Sequence, residues 1–301
     1  MAEYLDYAHE YLNLTYTLTC GQAFRWKQDN EGWWAAPVKG KVIRVKEQDN
    51  GFLWETLPGK PDLALFNSYF RLDDDVPAIY EHLSNADEHL AVLVKQFAGL
   101  RLVRQDPEET IISYVCSTAN SVPRISKSVD ELSRMYGTFI ASAGGVDHYA
   151  FPSISALASA DPDEMHNKAG LGWRGSNIVT VARQILSHPK DWLLSMRSRS
   201  YEDSKADLVA LRGIGAKIAD CVCLFSLDKD KAVPVDTHIR QVAARFYMPD
   251  LKTKTITPAA YDKIVQVFWD KFGDYAGWAQ EFLYYEDLLR TSRQQAIPIA
   301  R

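Results

Sequence analysis

Short runs of β-branched and aromatic residues fill the first part of the chain, and polar turn clusters separate them. Residues 24–27, 33–38, 42–46 and 52–55 are such runs; Asp29-Asn30-Glu31-Gly32, Lys39-Gly40 and Asp49-Asn50-Gly51 break them. This spacing predicts an antiparallel meander. Residues 77–83 and 88–97 carry helical patterning and are expected to cover one face of that sheet. From Arg104 onward helix starts dominate. Asp106-Pro107, Asp161-Pro162 and Thr257-Pro258 each put a capping side chain before a proline at the first helical position. Tyr261, Ile264, Val265 and Phe268 recur at the helical period. Ala143-Gly144-Gly145 and residues 168–172 read as linkers in an otherwise all-helical array, and no internal repeat is visible. The expected fold class is α+β. An N-terminal α+β domain with an antiparallel sheet (1–100) packs on a mainly helical domain (101–301).

Composition adds bounds. The chain has 301 residues, 47% of them hydrophobic, which suffices for a substantial core. The formal charge of −5 argues against nonspecific coating of nucleic acid, which rests on many phosphate contacts, but leaves room for one basic groove. The four cysteines, Cys20, Cys116, Cys221 and Cys223, form no C-x-x-C pair and suit free thiols in a reducing compartment. The seven histidines are scattered, with no H-E-x-x-H and no Cys/His cluster at ligand spacing, so a tightly bound transition metal is not expected. The N-terminus lacks the basic start and apolar core of a signal peptide, and no apolar run reaches the roughly 18 residues of a spanning helix. The expectation is a soluble, intracellular protein.

The chemistry concentrates in the last third. Ala210-Leu211-Arg212-Gly213-Ile214-Gly215-Ala216-Lys217 reads as two short helices joined by a Gly-x-Gly hairpin, with a lysine in the first turn of the second helix. Gly213 and Gly215 can take positive φ and lack a Cβ, so a phosphate can approach the backbone amides there. Taken alone, such a turn is more often an ordinary helix connection, and a lone lysine a solvated one. Some twenty residues on, Asp236 emerges from Val233-Pro234-Val235 and opens a helical pattern through Thr237 and His238. It suits a helix cap, and a carboxylate on an apolar wall can also stabilise developing positive charge.

Residues 211–242 resemble the helix-hairpin-helix and Gly/Pro…Asp motif of base-excision DNA glycosylases. Lys217 resembles the nucleophile of the bifunctional members, which remove a base and then nick the strand. The resemblance extends, in order, through Cys20-Gly21-Gln22-Ala23-Phe24-Arg25-Trp26, Arg104-Gln105-Asp106-Pro107, Phe151-Pro152-Ser153, Gly170-Leu171-Gly172-Trp173-Arg174 and Tyr275-Ala276-Gly277-Trp278-Ala279-Gln280. These segments are similar to those of the 8-oxoguanine DNA glycosylase/AP lyase family. Residues 101–301 would then be a helix-hairpin-helix (HhH-GPD) glycosylase domain, with the hairpin and catalytic motif at about 205–245.

The resemblance implies roles. Lys217 would attack the sugar of a flipped nucleotide and form a Schiff base, with Asp236 stabilising the cationic sugar. The Gly21 carbonyl would read the N7 hydrogen that 8-oxoguanine has and guanine lacks. Cys221 and Tyr284, the latter usually phenylalanine in the family, would sandwich the base, and Gln280 would read its Watson–Crick edge. Trp173, usually tyrosine, would wedge the duplex, while Arg124 and Arg174 would read the orphaned cytosine. Gly213, Gly215 and His238 would meet phosphates. Where the family has consecutive asparagines, this chain has Ala119-Asn120. Asn120 keeps a DNA-binding position, but Ala119 cannot hydrogen-bond into the vacated space, so tight restriction to lesions opposite cytosine does not follow. No cofactor is implied for the chemistry, although hairpin carbonyls of relatives can hold a structural monovalent or divalent cation. The implied partner is double-stranded DNA containing 8-oxoguanine, bound by a monomer, in the cytoplasm or nucleoid of a prokaryote or the nucleus of a eukaryote. The rival readings are a related glycosylase for another damaged or mispaired base, and a DNA-binding protein without catalysis. Lys217 argues against the alkylated-base members, the cysteine spacing against an iron–sulfur cluster, and Lys217 together with Asp236 against a noncatalytic role.

Overall fold

The computed structural model describes residues 2–251 and 255–296. Its N-terminal part runs β1 (Glu3–Asp6), α1 (Leu14–Thr19), β2 (Lys27–Gln28), β3 (Trp34–Val38), β4 (Lys41–Gln48), β5 (Gly51–Leu57), α2 (Leu63–Phe70), α3 (Val76–Ala86) and α4 (Glu88–Gln96). The five strands form an antiparallel sheet in the order β1-β5-β4-β3-β2. The meander was legible, but its edges differ from expectation. The run at 24–27 contributes only Lys27 to a strand. Phe24 instead turns into the helical core against the ring of Tyr114, and Trp26 donates its indole hydrogen to Tyr69 Oη at 2.7 Å.

The helices covering the sheet also differ. Phe66, Tyr69 and Phe70 of α2 pack on Trp54 and its neighbours, filling that face. Helices α3 and α4, expected there, join the helical core instead. Tyr80 and His82 of α3 meet Phe282 and Tyr275, at and just before the C-terminal helix.

The remainder is α5 (Pro107–Cys116), α6 (Val122–Tyr136), β6 (Phe139–Ala143), β7 (Val146–Tyr149), α7 (Ile154–Ala158), α8 (Pro162–Ala169), α9 (Arg174–Leu186), α10 (Trp192–Ser195), α11 (Tyr201–Ala210), α12 (Ala216–Ser226), α13 (Thr237–Phe246), α14 (Pro258–Phe272) and α15 (Ala276–Ala296). All three proline-marked helix starts form: Asp106, Asp161 and Thr257 each accept a backbone N–H of the first turn. The array is not wholly helical, however. Ala143-Gly144-Gly145 is no linker. Ala143 pairs with Val146 across a two-residue turn in which both glycines have positive φ. A tight hairpin turn of that kind demands this of its central residues. Among the described residues, no helix is long and apolar enough to cross a membrane.

Helix α12 is buried along nearly its whole length, which demands an internal solution for its one acidic residue. Asp220, fully buried, accepts hydrogen bonds from Tyr201 Oη at 2.7 Å, Lys205 Nζ at 2.8 Å and Tyr261 Oη at 2.5 Å. Those partners lie on α11 and α14, so one carboxylate ties three helices. Removing one member of a buried pair strands the other. Asp220→Ala is therefore expected to cost about 3 kcal/mol of stability, read as a lowered midpoint in urea unfolding.

Candidate active site

A pocket of about 320 Å³ opens where the N-terminal loop after α1 meets α5, α12 and α15. The loop brings Gly21, which has φ +92°. Gln22 fixes it: this buried amide donates to the carbonyls of Thr17 and Arg101 and accepts from Val103 N, all at 2.8–2.9 Å. Tyr114 of α5 donates weakly to the carbonyls of Gly21 and Gln22, at 3.4 and 3.3 Å. Tyr284 of α15 closes the opposite side, so near that a Cβ on Gly21 would lie 3.2 Å from its Cε1.

Helix α12 supplies Lys217, Cys221 and Phe225 to the wall. Their spacing of four residues puts them in one row on the helix. Lys217 is half-buried, with Nζ 4.7 Å from the centre of the Tyr114 ring. Burial pushes the Cys221 thiol up to about 12, against the opposing pull of the Lys217 ammonium, so Cys221 is a neutral thiol. Asp236 joins the pocket from the start of α13, where its Oδ1 accepts Ile239 N at 2.9 Å. Cap and pocket-lining carboxylate are thus the same residue. Helix α15 adds Gln280 and Glu281, both buried. Burial, then the charges of Asp236 and Glu281, push the Tyr284 phenol well above its ordinary range.

His238 stands at the rim. Its Nδ1–H donates to Asp287 Oδ2 at 2.8 Å, and its ring meets Tyr284 edge-on. Burial alone would raise the Asp287 carboxyl. Hydrogen bonds from His238, Arg245 and Arg290 outweigh that and hold it below the usual carboxylate range.

The other residues singled out gather elsewhere. Trp173 is more than half exposed at the start of α9, and the Arg174 guanidinium lies 5.0 Å from its ring centre. Arg174 donates to the carbonyls of Thr118 and Ala119 at 2.7 and 2.9 Å, binding α9 to the loop after α5. Asn120 in that loop is turned inward, its amide donating to Cys116 O at 3.1 Å and accepting Ser121 N at 3.0 Å. Ala119 has φ +49°, a left-handed conformation asparagine adopts more readily than alanine. Arg124 is exposed in the first turn of α6.

In the hairpin only Gly213 has positive φ, at +97°. Gly215, which is equally free to take that conformation, is extended at φ −93° and serves as the N-cap of α12. Its missing Cβ therefore matters for access rather than for backbone shape. The hairpin is pinned to α9 by Gln184, whose side chain accepts Arg212 N at 2.8 Å and donates to Arg212 O at 3.2 Å. Among the described residues, no group of three or more His, Cys, Asp and Glu side chains could hold a metal ion.

Four pocket or rim residues escaped the sequence reading: Tyr114, Phe225, Glu281 and Asp287. Glu281 and Asp287 carried a signal. Trp278, Glu281, Phe282 and Tyr285 follow the helical period of a buried stripe, as do Gln280, Leu283 and Asp287 beside it, and an acid in such a stripe is anomalous. Tyr114 and Phe225 had none, since aromatic residues in apolar helices are ordinary core.

A lysine behind a Gly-x-Gly hairpin, sharing a pocket with a Pro-Val-Asp carboxylate, defines the HhH-GPD class. The model described as HhH-GPD superfamily base excision DNA repair protein matches residues 112–269, and that of the 8-oxoguanine DNA glycosylase N-terminal domain matches 4–111. The chain belongs to the 8-oxoguanine DNA glycosylase family. It is 32% identical to the N-glycosylase/DNA lyase OGG1 of Arabidopsis thaliana, over 94% of this chain and 80% of that protein. An N-glycosylase/DNA lyase of Saccharomyces cerevisiae is 29% identical over 93% of this chain and 85% of its own. The crystal structure of Clostridium acetobutylicum 8-oxoguanine glycosylase/lyase, in complex with double-stranded DNA containing cytosine opposite 8-oxoguanine, superposes with a TM-score of 0.83. It is 25% identical and covers 99% of both chains.

Gly21→Ala should cost about 1–2 kcal/mol, because alanine resists φ near +90° and its Cβ would press on Tyr284. The urea midpoint is expected to fall with an unchanged slope; an unmoved midpoint would show that the loop relaxes freely.

Proposed function

We propose that this protein is a bifunctional DNA glycosylase/AP lyase that removes 8-oxoguanine from duplex DNA by base-excision repair. The observation that carries the reading is one pocket lined at once by Lys217, Asp236, Gly21, Cys221, Gln280 and Tyr284. The family matches over residues 4–269 support it, as does the relative matched over 94% of the chain.

The target nucleotide must leave the stack to reach such a pocket. The unprotonated Lys217 amine attacks C1′ of the extruded nucleotide; the C1′–N9 bond breaks and the base departs with its electron pair, taking up a proton. Asp236 stabilises positive charge on the sugar. Loss of the amine proton and ring opening leave a Schiff base between Lys217 and C1′. A proton then leaves C2′, and the bond from C3′ to the 3′ phosphate breaks by β-elimination. The Gly21 carbonyl accepts from N7–H of the lesion and meets a lone pair on guanine, a contact worth about 1–3 kcal/mol. Cys221 and Tyr284 flank the base, and Gln280 reads its Watson–Crick edge. His238, oriented by Asp287, leaves Nε2 for a phosphate.

Trp173 fills the gap left in the duplex, with Arg174, Arg124 and Asn120 beside it on the strand carrying the opposing base, cytosine by preference. Gly213 and Gly215 open backbone amides to a phosphate. The N-terminal domain (1–100) contributes Gly21 and the helical domain (101–301) the rest, in a monomer. The chemistry uses no cofactor. A structural cation at the hairpin would be held by backbone carbonyls; those of Leu211 and Arg212 each accept one hydrogen bond and keep a second lone pair. Such a substrate puts the enzyme wherever the cell keeps its DNA.

Borohydride is expected to trap a covalent complex between the protein and a duplex containing 8-oxoguanine. Lys217→Gln should abolish it and slow base release roughly a thousandfold or more; no trapped band with the wild type would sink the imine route. Ala119→Asn should fit the left-handed backbone and raise the preference for cytosine over adenine opposite the lesion by roughly tenfold. Equal ratios before and after would dismiss a role for this position.

A further inference from the structure

Glu281 has no part in the chemistry above, yet it lines the same pocket. It is about 1% exposed and its Oε1 is buried without a hydrogen-bond partner; the neighbouring Cys20 thiol donates to Thr17 O at 3.2 Å. A buried oxygen with nothing to bond is costly, so a group aimed into a ligand pocket in this state suggests that the ligand supplies the bond. Among the described residues it makes no ion pair, and the charge that acts on it is that of Asp236, which repels a second negative charge.

We propose that Glu281, as a neutral carboxylic acid, donates a hydrogen bond to the O6 carbonyl oxygen of the extruded oxidised guanine. The inference rests on the proposed excision of 8-oxoguanine. Its placement follows from its neighbours in the lining. Glu281 shares the pocket with Gln280, assigned to the Watson–Crick edge, and with Gly21, assigned to N7–H, and it is influenced by Cys20, which directly precedes Gly21. On the purine, the atom between those two edges is O6, an acceptor. A protonated carboxyl has the one donor needed; a carboxylate has none. Burial, reinforced by Asp236, raises the Glu281 carboxyl to about 8, so the acid form prevails at neutral pH. Bases with an amine at carbon 6 would face donor against donor. Ionised, the same group would accept from that amine and repel O6.

The other groups facing Glu281 do not share this titration. Cys20, Tyr114 and Tyr284 are pushed well above their ordinary ranges, and Cys221 to about 12, all chiefly by burial. Lys217, the remaining charged group of the lining, acts on both substrates alike and cancels in a ratio of the two.

The test is single-turnover base release from duplexes carrying 8-oxoguanine or 8-oxoadenine, compared between pH 7 and 9 in wild type, Glu281→Gln and Glu281→Ala. The protonated fraction of a group titrating at about 8 falls roughly tenfold over that range. The wild-type ratio of 8-oxoguanine to 8-oxoadenine release should fall about tenfold with it, a comparison that cancels general pH effects. In Glu281→Gln, which keeps a donor and cannot ionise, the ratio should stay level with 8-oxoguanine release preserved at pH 9. Glu281→Ala should lose roughly tenfold at pH 7. Folding is followed in parallel by thermal unfolding. Because the folded-state carboxyl is raised, its stabilising contribution is full below the unfolded value and lost as pH rises toward 8, so Glu281→Gln should gain on wild type from pH 5 to 9. A wild-type ratio that stays level with pH, or shared by Glu281→Gln, overturns the inference while leaving the excision activity standing. A wild type that releases no 8-oxoguanine at any pH overturns both.

Discussion

Asp220 is a carboxylate that no water reaches, and the setting of Lys217 and Cys221 on α12 traces back to how it is satisfied. It is one residue before Cys221 and three after Lys217 on α12, and its hydrogen bonds run to α11 and α14. The helix cannot rotate or slide to suit an incoming base without unpairing that carboxylate, and burial makes unpairing expensive. The pocket therefore takes its geometry from the back of α12. What faces the pocket is free to be chosen for chemistry, since the face that holds the helix does not touch it.

Much of this was legible in the chain because the devices involved are local. A Gly-x-Gly turn, an acid before proline and a β-rich run between turn clusters each act within a few residues. Lys217, Asp236, Cys221 and Tyr284 accordingly come together as their motifs suggest. The misses are nonlocal. Whether α2 or α3 covers the sheet depends on which competitor fills the face, and Phe66, Tyr69 and Phe70 fill it. Phe24 leaves its strand pattern because a partner ninety residues away, Tyr114, offers it a better site. The Gly144-Gly145 hairpin is a different lesson: the turn chemistry was in plain sight, but the flanking strands are too short and mixed to announce themselves.

The active-site wall also shows two ways of handling buried acids. Asp287 is surrounded by His238, Arg245 and Arg290 and stays charged. Glu281, six residues earlier on the same helix, has Asp236 as its charged influence and a thiol beside it, and its environment favours the proton. One helix thus carries an anion that steadies a rim histidine and an acid that keeps a hydrogen, separated by less than two turns. The difference lies wholly in who stands opposite, which is why neither role could be assigned from the residue type.

Helix α9 joins two features with nothing else in common. Arg174, beside Trp173, begins it, and Gln184, ten residues on, clamps the hairpin backbone at Arg212. At about 1.5 Å per residue the span is about 15 Å of rigid rod. In the proposed complex one end abuts the gap in the duplex and the other holds the phosphate grip. The rod then sets one fixed spacing between opened gap and gripped backbone. A fixed spacing is indifferent to base identity along its length, so registration on the duplex stays constant whatever the sequence.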